Sequence, residues 1–296
     1  MNRSLYAHLA LFGANLIYGL NYTLAKDVMH GFIQPYGFIF CRVTGALILF
    51  WLIHALFYRE KIDRKDIPRL MLCGLFGVAI NQLLFFKGLD LSHPINAAII
   101  MTTNPILVLI LSTLIAREKL SWIKSLGIGI GISGAITLIT FNDGFKFGNA
   151  TSIGDLLIFI NATSYGLYLV LAKKIMNKYK PLTVIKWVFL FGYLVVFPVG
   201  WTEFTEIQWS TMPAKIIWEI IYVIVGTTFL AYLLNIYALK IVSPTTASSY
   251  IYLQPVLASI FAIWFGADNI TVIKVFAALM IFAGVYLVSK TTYKNV

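Results

Sequence analysis

The chain alternates between long apolar stretches and short polar gaps. A helix rises about 1.5 Å per residue, so about 20 apolar residues cross the roughly 30 Å hydrocarbon core of a bilayer. None of the gaps is long enough to hold a soluble domain. The pattern therefore predicts membrane-spanning helices, and the qualifying stretches are 5–25, 35–57, 67–87, 94–116, 121–140, 153–173, 181–202, 214–239, 244–265 and 271–289.

The composition supports this prediction. Of the 296 residues, 59% are hydrophobic and 12% are charged, and the mean hydropathy is +0.84. Soluble domains are about 45–50% apolar and about 25% charged, so this chain has too few charges to cover a water-facing surface. An ordinary soluble enzyme, a disordered chain and a disulfide-rich secreted domain are excluded. Cys41 and Cys73 lie alone in separate apolar stretches, and we interpret both as small packing residues.

The second half of the chain repeats the first. Three prolines begin stretches in the first half and have counterparts 145 to 150 residues later, namely Pro35 with Pro181, Pro68 with Pro213, and Pro94 with Pro244. Proline suits the first helical turn, where its missing N–H would have no partner. We predict an all-α integral membrane protein of ten transmembrane helices, built as two inverted five-helix repeats over residues 1–145 and 146–296.

The charge distribution predicts the orientation of the two repeats. Five spans is an odd number, so the second repeat enters the membrane from the opposite side. Lys and Arg favour cytoplasmic loops, and with the N-terminus inside, 17 of the 23 basic residues fall on the cytoplasmic side and 5 outside. The loop after the second stretch is basic, whereas its counterpart carries Glu203 and Glu206. We expect a multi-pass protein of the cytoplasmic (inner) membrane with both termini in the cytoplasm.

Four stretches are typical of a known family, and together with the repeats they extend the likeness over nearly the whole chain. They are NLIYGLNYTLAK (15–26), FCRVTGALILF around Arg42, PINAAIIMTTNPILVLILSTLIAREKL (94–120) and PTTASSYIYLQPVLASIFAIWFGADNIT (244–271). The chain resembles the drug/metabolite transporter superfamily in its EamA-type branch. The resemblance implies a helical carrier of small organic solutes, often an exporter of amino acids or related metabolites. It also implies a pathway lined by spans 1, 3, 4, 6, 8 and 9.

Polar side chains lie in the middle of those six predicted spans. Residues three or four apart share a helix face, and a polar group in hydrocarbon needs a partner or a wet cavity. We predict that the polar faces surround one substrate-binding cavity. The alternative is that they only hydrogen-bond neighbouring helices, at about 0.6 kcal/mol on average. The candidates are Asn15, Tyr18, Gln82, Asn104, Asn161, Tyr165, Tyr232, Asn235, Tyr250 and Gln254.

Two prolines and one arginine complete the candidate residues. Pro105 and Pro255 lie near mid-span at equivalent positions of the two repeats. Each removes a backbone N–H and displaces the carbonyl four residues earlier, which predicts a hinge, with a static kink as the alternative. Arg42 lies seven residues inside the second span. We assign it a structural role first, with attraction of a substrate carboxylate as the alternative, because the resemblance places its span away from the pathway.

The positions of the ionisable residues bear on enzyme activity. The 12 acids and four histidines lie at or near span ends or in loops, so we predict no catalytic residues, no metal site and no cofactor. An enzyme is disfavoured, because general acid–base catalysis needs a titratable group at the reacting atom. The predicted cavity is uncharged and rich in amides and tyrosines, which suits a neutral or zwitterionic solute.

These observations lead to one functional hypothesis and its alternatives. We expect a secondary transporter that exports small metabolites such as amino acids by alternating access between its two repeats. The alternatives are a channel and a non-transporting receptor or scaffold. The expected partners are a small-molecule substrate and the lipid bilayer, with no nucleic acid, and the expected state is a monomer or weak homodimer.

Overall fold

The computed structural model describes residues 3–29, 31–57, 60–91, 101, 103–116, 121–143, 152–264 and 272–292. Over these residues the regular structure is entirely helical. The α-helices are α1 (Arg3–Met29), α2 (Pro35–Phe57), α3 (Ile67–Gly74), α4 (Ile80–Leu91), α5 (Asn104–Leu111), α6 (Trp122–Asp143), α7 (Ser152–Met176), α8 (Pro181–Thr205), α9 (Ala214–Tyr222), α10 (Ala231–Ile241), α11 (Pro244–Ser249), α12 (Leu253–Trp264) and α13 (Val272–Thr292). The all-helical prediction is confirmed for this part of the chain.

Among the described residues, five helical segments are long and apolar enough to cross a membrane. They are Pro35–Phe57, Arg64–Gly88, Leu156–Met176, Pro181–Thr205 and Ala214–Ile241. The protein is therefore a multi-pass membrane protein. The full set of ten spans stays a prediction. So does the boundary between the repeats at 145/146, which falls in residues 144–151, outside the described residues.

Two of these segments contain a wide helical turn that the sequence did not predict. A π-helical turn at Leu75–Ala79 joins α3 to α4, and a longer one at Val223–Leu230 joins α9 to α10. The two turns occupy corresponding places in the two halves. A π-turn shifts the helix face by inserting a residue, and such turns are frequent at functional sites.

Proline begins helices where the sequence predicted it. Pro35 is the first residue of α2, Pro181 of α8 and Pro244 of α11. Pro68 lies in the first turn of α3, and Pro213 immediately precedes α9. Pro94 lies outside the described residues.

The helices pack in the same way when the two halves of the chain are exchanged. Helix α2 packs on α8, and α6 packs on α13, so each of these pairs joins corresponding helices of the two halves. Helix α4 packs on α7, as α10 packs on α1. Helix α5 packs on α7, as α12 packs on α1. This exchange symmetry is what a duplicated five-helix unit requires.

Glycines permit the close approach of α6 and α13. A Cβ atom added at Gly284 would lie 2.6 Å from the Gly127 carbonyl oxygen and 2.7 Å from the Gly131 backbone nitrogen. Small residues allow membrane helices to approach this closely. Gly127 and Gly131 of α6 therefore pack within the chain, against Gly284 of α13.

Ion pairs and hydrogen bonds define the two ends of the bundle. At one end, Lys215 at the start of α9 pairs with Asp27 of α1 at 2.8 Å, and we call this the Asp27 end. At the other, the Asp63 end, Lys178 pairs with Asp63 and also with Asp66 at 2.6 Å. These carboxylates, Asp63 first, raise the pKa of Lys178 above its usual value. The Asp63 end is the one that the charge distribution predicts to be cytoplasmic.

Candidate functional site

A polar cavity lies at the centre of the bundle. Its volume is about 110 Å³, which is room for several waters or a small solute, because one water needs about 10–15 Å³ of such space. Both halves of the chain contribute to its wall. The lining residues are Asn15, Tyr18, Asn21, Arg42, Asn81, Gln82, Phe85, Phe86, Met101, Asn161, Tyr165, Thr227, Tyr232, Asn235, Ala247, Ile251 and Gln254.

Most of the residues predicted to bind substrate lie on this wall. The structure brings together Asn15, Tyr18, Gln82, Asn161, Tyr165, Tyr232, Asn235 and Gln254. Helical spacing places the polar side chains of one helix on one face, and the packing of the helices turns these faces towards one space. The grouping is a structural observation, and binding by these residues stays a prediction.

Two of the residues predicted to bind substrate, Asn104 and Tyr250, lie away from the cavity and contact neighbouring helices instead. The Asn104 Nδ2 atom donates to the Ala162 carbonyl oxygen at 2.7 Å, which ties α5 to α7. The Tyr250 hydroxyl lies 2.7 Å from His8 Nδ1 on α1. For these two residues the contacts favour the alternative reading, in which an intramembrane polar group hydrogen-bonds an adjacent helix.

Asn104 and Gln254 occupy equivalent positions of the two halves but make different hydrogen bonds. Gln254 Nε2 donates to Asn15 Oδ1 at 2.9 Å, and both residues line the cavity. At the corresponding contact of the first half, Asn104 binds a backbone oxygen of α7 and is fully buried. Of these two equivalent amides, Gln254 therefore lines the cavity and Asn104 does not.

Tyr232 connects the cavity to the π-turn of the first half. Its hydroxyl accepts from Gln82 Nε2 at 3.2 Å and donates to the Gly77 carbonyl oxygen at 3.2 Å. Gly77 lies within the π-turn Leu75–Ala79. The hydroxyl of Ser164 on α7 donates to the Phe76 carbonyl oxygen of the same turn at 2.6 Å. Side chains from the second half thus satisfy backbone oxygens of this turn.

Arg42 lies on the cavity wall, whereas the sequence analysis placed its span away from the pathway. It is only 4% exposed and lines the cavity, so the expectation that its span stays away from the central space is wrong. Its Nε donates to the Thr228 hydroxyl at 3.1 Å. The guanidinium carbon lies 4.8 Å from the centre of the Phe86 ring, a distance typical of cation–π contacts. The prediction of an uncharged cavity is therefore also wrong.

Sequence reasoning missed other lining residues as well. Asn21, Asn81 and Thr227 lie on the cavity wall but were not among the candidates. Asn21 follows Asn15 and Tyr18 at helical spacing, so the pattern contained the signal. Thr227 lies in the π-turn Val223–Leu230, whose changed register no regular helical period could have predicted.

Several polar atoms of the cavity wall are buried without a hydrogen-bond partner among the described residues. Most buried polar side-chain atoms in proteins are paired, and leaving one unpaired costs about 1–3 kcal/mol. Such atoms at a cavity wall are therefore candidates for contacts with a ligand. They are Asn21 Oδ1, Arg42 Nη1, Gln82 Oε1, Asn161 Oδ1 and Thr227 Oγ1.

Both predicted hinge prolines lie at the start of a helix rather than in the middle of one. Pro105 is in the first turn of α5, which begins at Asn104. Pro255 is the third residue of α12, which follows a 3₁₀ turn at Tyr250–Tyr252. Because the first N–H groups of a helix need no intrahelical partner, proline is well accommodated there. A 3₁₀ turn precedes α12. Bending of the chain at either proline during function stays a prediction.

The fold and cavity define a polytopic helical membrane protein with a solute-sized polar chamber at its centre. The EamA-like transporter family matches residues 5–140 and matches again at 152–290. The chain belongs to this family, which confirms the resemblance inferred from the sequence. Its membership and relatives indicate a membrane transporter rather than an enzyme.

The relatives extend over nearly the full length of the chain. "Uncharacterized transporter YyaM" of Bacillus subtilis (strain 168) is 26% identical over 286 residues, covering 95% of this chain and 93% of the relative. An "Uncharacterized transporter" of Archaeoglobus fulgidus is 24% identical over 271 residues, covering 92% and 94%. A solved structure described only as "Crystal structure of protein" is 18% identical with a TM-score of 0.78, covering 97% of this chain and 98% of its own. This last likeness shows the fold alone.

Proposed function

We propose that this protein is a secondary transporter of small metabolites such as amino acids, working by alternating access. The central polar cavity, to which both halves of the chain contribute, carries the proposal. Transporter sites commonly lie at the interface between repeats, near the middle of the bilayer. A volume of about 110 Å³ suits a small solute and not a macromolecule.

Contacts at the two ends support alternating access. At the Asp63 end, Lys173 Nζ donates to the carbonyl oxygens of Leu239 and Val242, each at 2.7 Å, and so ties α7 to the end of α10. At the Asp27 end, Glu203 accepts from the backbone N–H of Gly37 at 2.8 Å. These contacts join different helices through a few polar groups, and we propose that they break and re-form at alternate ends during transport.

We further propose export across the cytoplasmic (inner) membrane, with both termini in the cytoplasm. The excess of basic residues in the loops of the Asp63 end supports this orientation. Export follows from the family resemblance and is the direction that transport assays would test.

Counterflow in proteoliposomes tests the function. Purified protein is reconstituted, the vesicles are loaded with one unlabelled amino acid or metabolite at a time, and uptake of trace labelled solute is measured. A carrier gives saturable uptake with transient accumulation above equilibrium. Flux without saturation or counterflow indicates a channel, and no flux of any solute contradicts the proposal and favours a receptor or scaffold.

A further inference from the structure

We propose that Arg42 binds a carboxylate of the transported solute, so that the substrate class is small amino- or hydroxy-carboxylates. This inference rests on the proposed function and assigns the substrate class of that same cavity. Three features carry it: the unfinished hydrogen bonding of the guanidinium, the absence of an acidic partner on the described wall, and the oxygen acceptors around it.

The hydrogen bonding of Arg42 is incomplete. A guanidinium has five N–H donors, and the Nε–H of Arg42 donates to the Thr228 hydroxyl. Its Nη1 atom is buried and has no hydrogen-bond partner among the described residues. The guanidinium carbon lies 5.7 Å from the centre of the Phe38 ring and 4.8 Å from the centre of the Phe86 ring. Aromatic rings stabilise the charge but accept none of the in-plane hydrogen bonds that a carboxylate accepts in pairs.

The charge of Arg42 has no counter-charge on the described cavity wall. None of the described lining residues is Asp or Glu, and the hydroxyl that accepts from Nε is neutral. Burying a charge without a partner costs several kcal/mol, which an opposite charge in good geometry can offset. A solute carboxylate would supply that charge, and Arg presents a fork of donors that matches carboxylate geometry.

Unpaired amide oxygens on the cavity wall could accept hydrogen bonds from a donor group on the same solute. Gln82 Oε1, Asn161 Oδ1 and Asn21 Oδ1 are amide oxygens without a partner among the described residues. Amide oxygens accept hydrogen bonds and do not donate them. Beside a carboxylate on Arg42, they would bind an ammonium or hydroxyl group. This combination of sites disfavours polyamines, because they lack a carboxylate, and the cavity volume of about 110 Å³ favours a small solute.

A matched pair of ligands tests the proposal without any variant. Purified full-length protein is screened by thermal shift against the proteinogenic L-amino acids, simple hydroxy-carboxylates and the carboxamide of each. A ligand that binds the folded state raises the melting temperature. We expect at least one acid to stabilise the protein and its carboxamide to bind about 100-fold more weakly, which corresponds to about 2.8 kcal/mol at about 1.4 kcal/mol per tenfold.

Variants of Arg42 then test which residue gives this preference. In Arg42→Gln, the acid should lose about 100-fold in affinity, so that acid and carboxamide bind within threefold of each other. Arg42→Lys keeps the charge but loses the paired donors and should retain part of the preference. Lys186→Gln is the matched control, because Lys186 is a buried cation whose Nζ lies 2.9 Å from His54 Nδ1 and which does not line the cavity. It should keep the full preference.

The possible results separate this inference from the proposed function. Equal binding of acid and carboxamide by the unmodified protein, or a panel in which no carboxylate binds, overturns the role of Arg42. An Arg42→Gln protein that keeps the preference overturns it as well. Stabilisation by chloride or inorganic phosphate without any organic acid shows that the site holds an inorganic anion only and also overturns it. Counterflow of a neutral or cationic solute in the same preparation would leave the transporter function standing while removing this substrate class.

Discussion

Asn104 and Gln254 occupy equivalent positions of the two halves but have different surroundings. Asn104 is fully buried and donates to the Ala162 carbonyl oxygen. Gln254 lines the cavity and donates to Asn15 Oδ1. One position therefore joins two helices, and the other can contact a solute. This pair of amides therefore allows substrate binding and hydrogen bonding between helices to be tested separately within one molecule.

Substitution of each amide by alanine should have a different effect. Asn104→Ala removes an interhelical hydrogen bond and should lower the free energy of unfolding by about 0.5–1.5 kcal/mol, with the KM of transport unchanged. Gln254→Ala should raise KM at least severalfold, because it removes a cavity amide and releases Asn15. Unfolding measurements in detergent and counterflow kinetics check both. An Asn104→Ala protein with a raised KM and unchanged stability would contradict this division.

At the scale of helices, the contact between α6 and α13 depends on backbone-to-backbone packing. Gly284 faces backbone atoms of Gly127 and Gly131 at distances that leave no space for a methyl group. By contrast, Gly129 on the same α6 has no atom within 4 Å of an added Cβ. The two glycines therefore form a matched pair for testing this packing.

Gly284→Ala should destabilise the protein, and Gly129→Ala should not. Forcing a methyl group into a closely packed contact typically costs about 1–3 kcal/mol, since backbone atoms cannot rotate away as a side chain can. Gly129→Ala has open space and gains helix propensity. Thermal unfolding of the purified variants measures the difference. Equal melting temperatures for Gly284→Ala and the unmodified protein would mean that the two helices are not held this closely.

At the scale of the whole molecule, Lys173 joins two helices at the Asp63 end. It reaches from α7 to the last carbonyl oxygens of α10, where a helix C-terminus favours a positive charge. Lys178 lies at the same end but is half exposed and pairs with Asp63 and Asp66. Exposed ion pairs contribute about 0–1 kcal/mol, so Lys173 should matter more for closure than Lys178.

Lys173→Met should open the Asp63 end, whereas Lys178→Met should have little effect. The reporter is Ala247→Cys on the cavity wall, in a protein whose native Cys41 and Cys73 are replaced by alanine. Labelling by a membrane-impermeant thiol reagent from the Asp63 end should be several times faster with Lys173→Met than without it. Equal labelling rates for the Lys173→Met and Lys178→Met proteins would show that Lys173 does not hold this end closed.

The side of the membrane on which the two chain termini lie tests the orientation of the protein. Reporter tags fused to the N-terminus and to the C-terminus should both be found in the cytoplasm, because basic residues are concentrated in the loops of the Asp63 end. Protease protection of the tags in sealed vesicles measures this. Finding the two tags on opposite sides would contradict an even number of spans and the inverted repeat.

Much of the architecture could be predicted from the sequence because the relevant signals are local. Apolar length and low charge predict a helical membrane protein, and prolines at Pro35, Pro181 and Pro244 begin helices as expected. The spacing of Asn15 and Tyr18 places both on one face of α1. These properties depend on short stretches of chain, and the repeated pattern at offsets near 148 residues makes the signals mutually supporting.

The tertiary structure decided which polar groups share the cavity. Arg42 reaches the cavity because α2 packs against a π-turn that carries Thr228, a residue 186 positions away. Asn104 is directed to Ala162 instead, although its repeat equivalent lines the cavity. The sequence determined the helices and their polar faces through hydrophobicity and helical period. Which neighbour each face meets depends on packing between distant segments and on turns that change the helical register, and no local period specifies either.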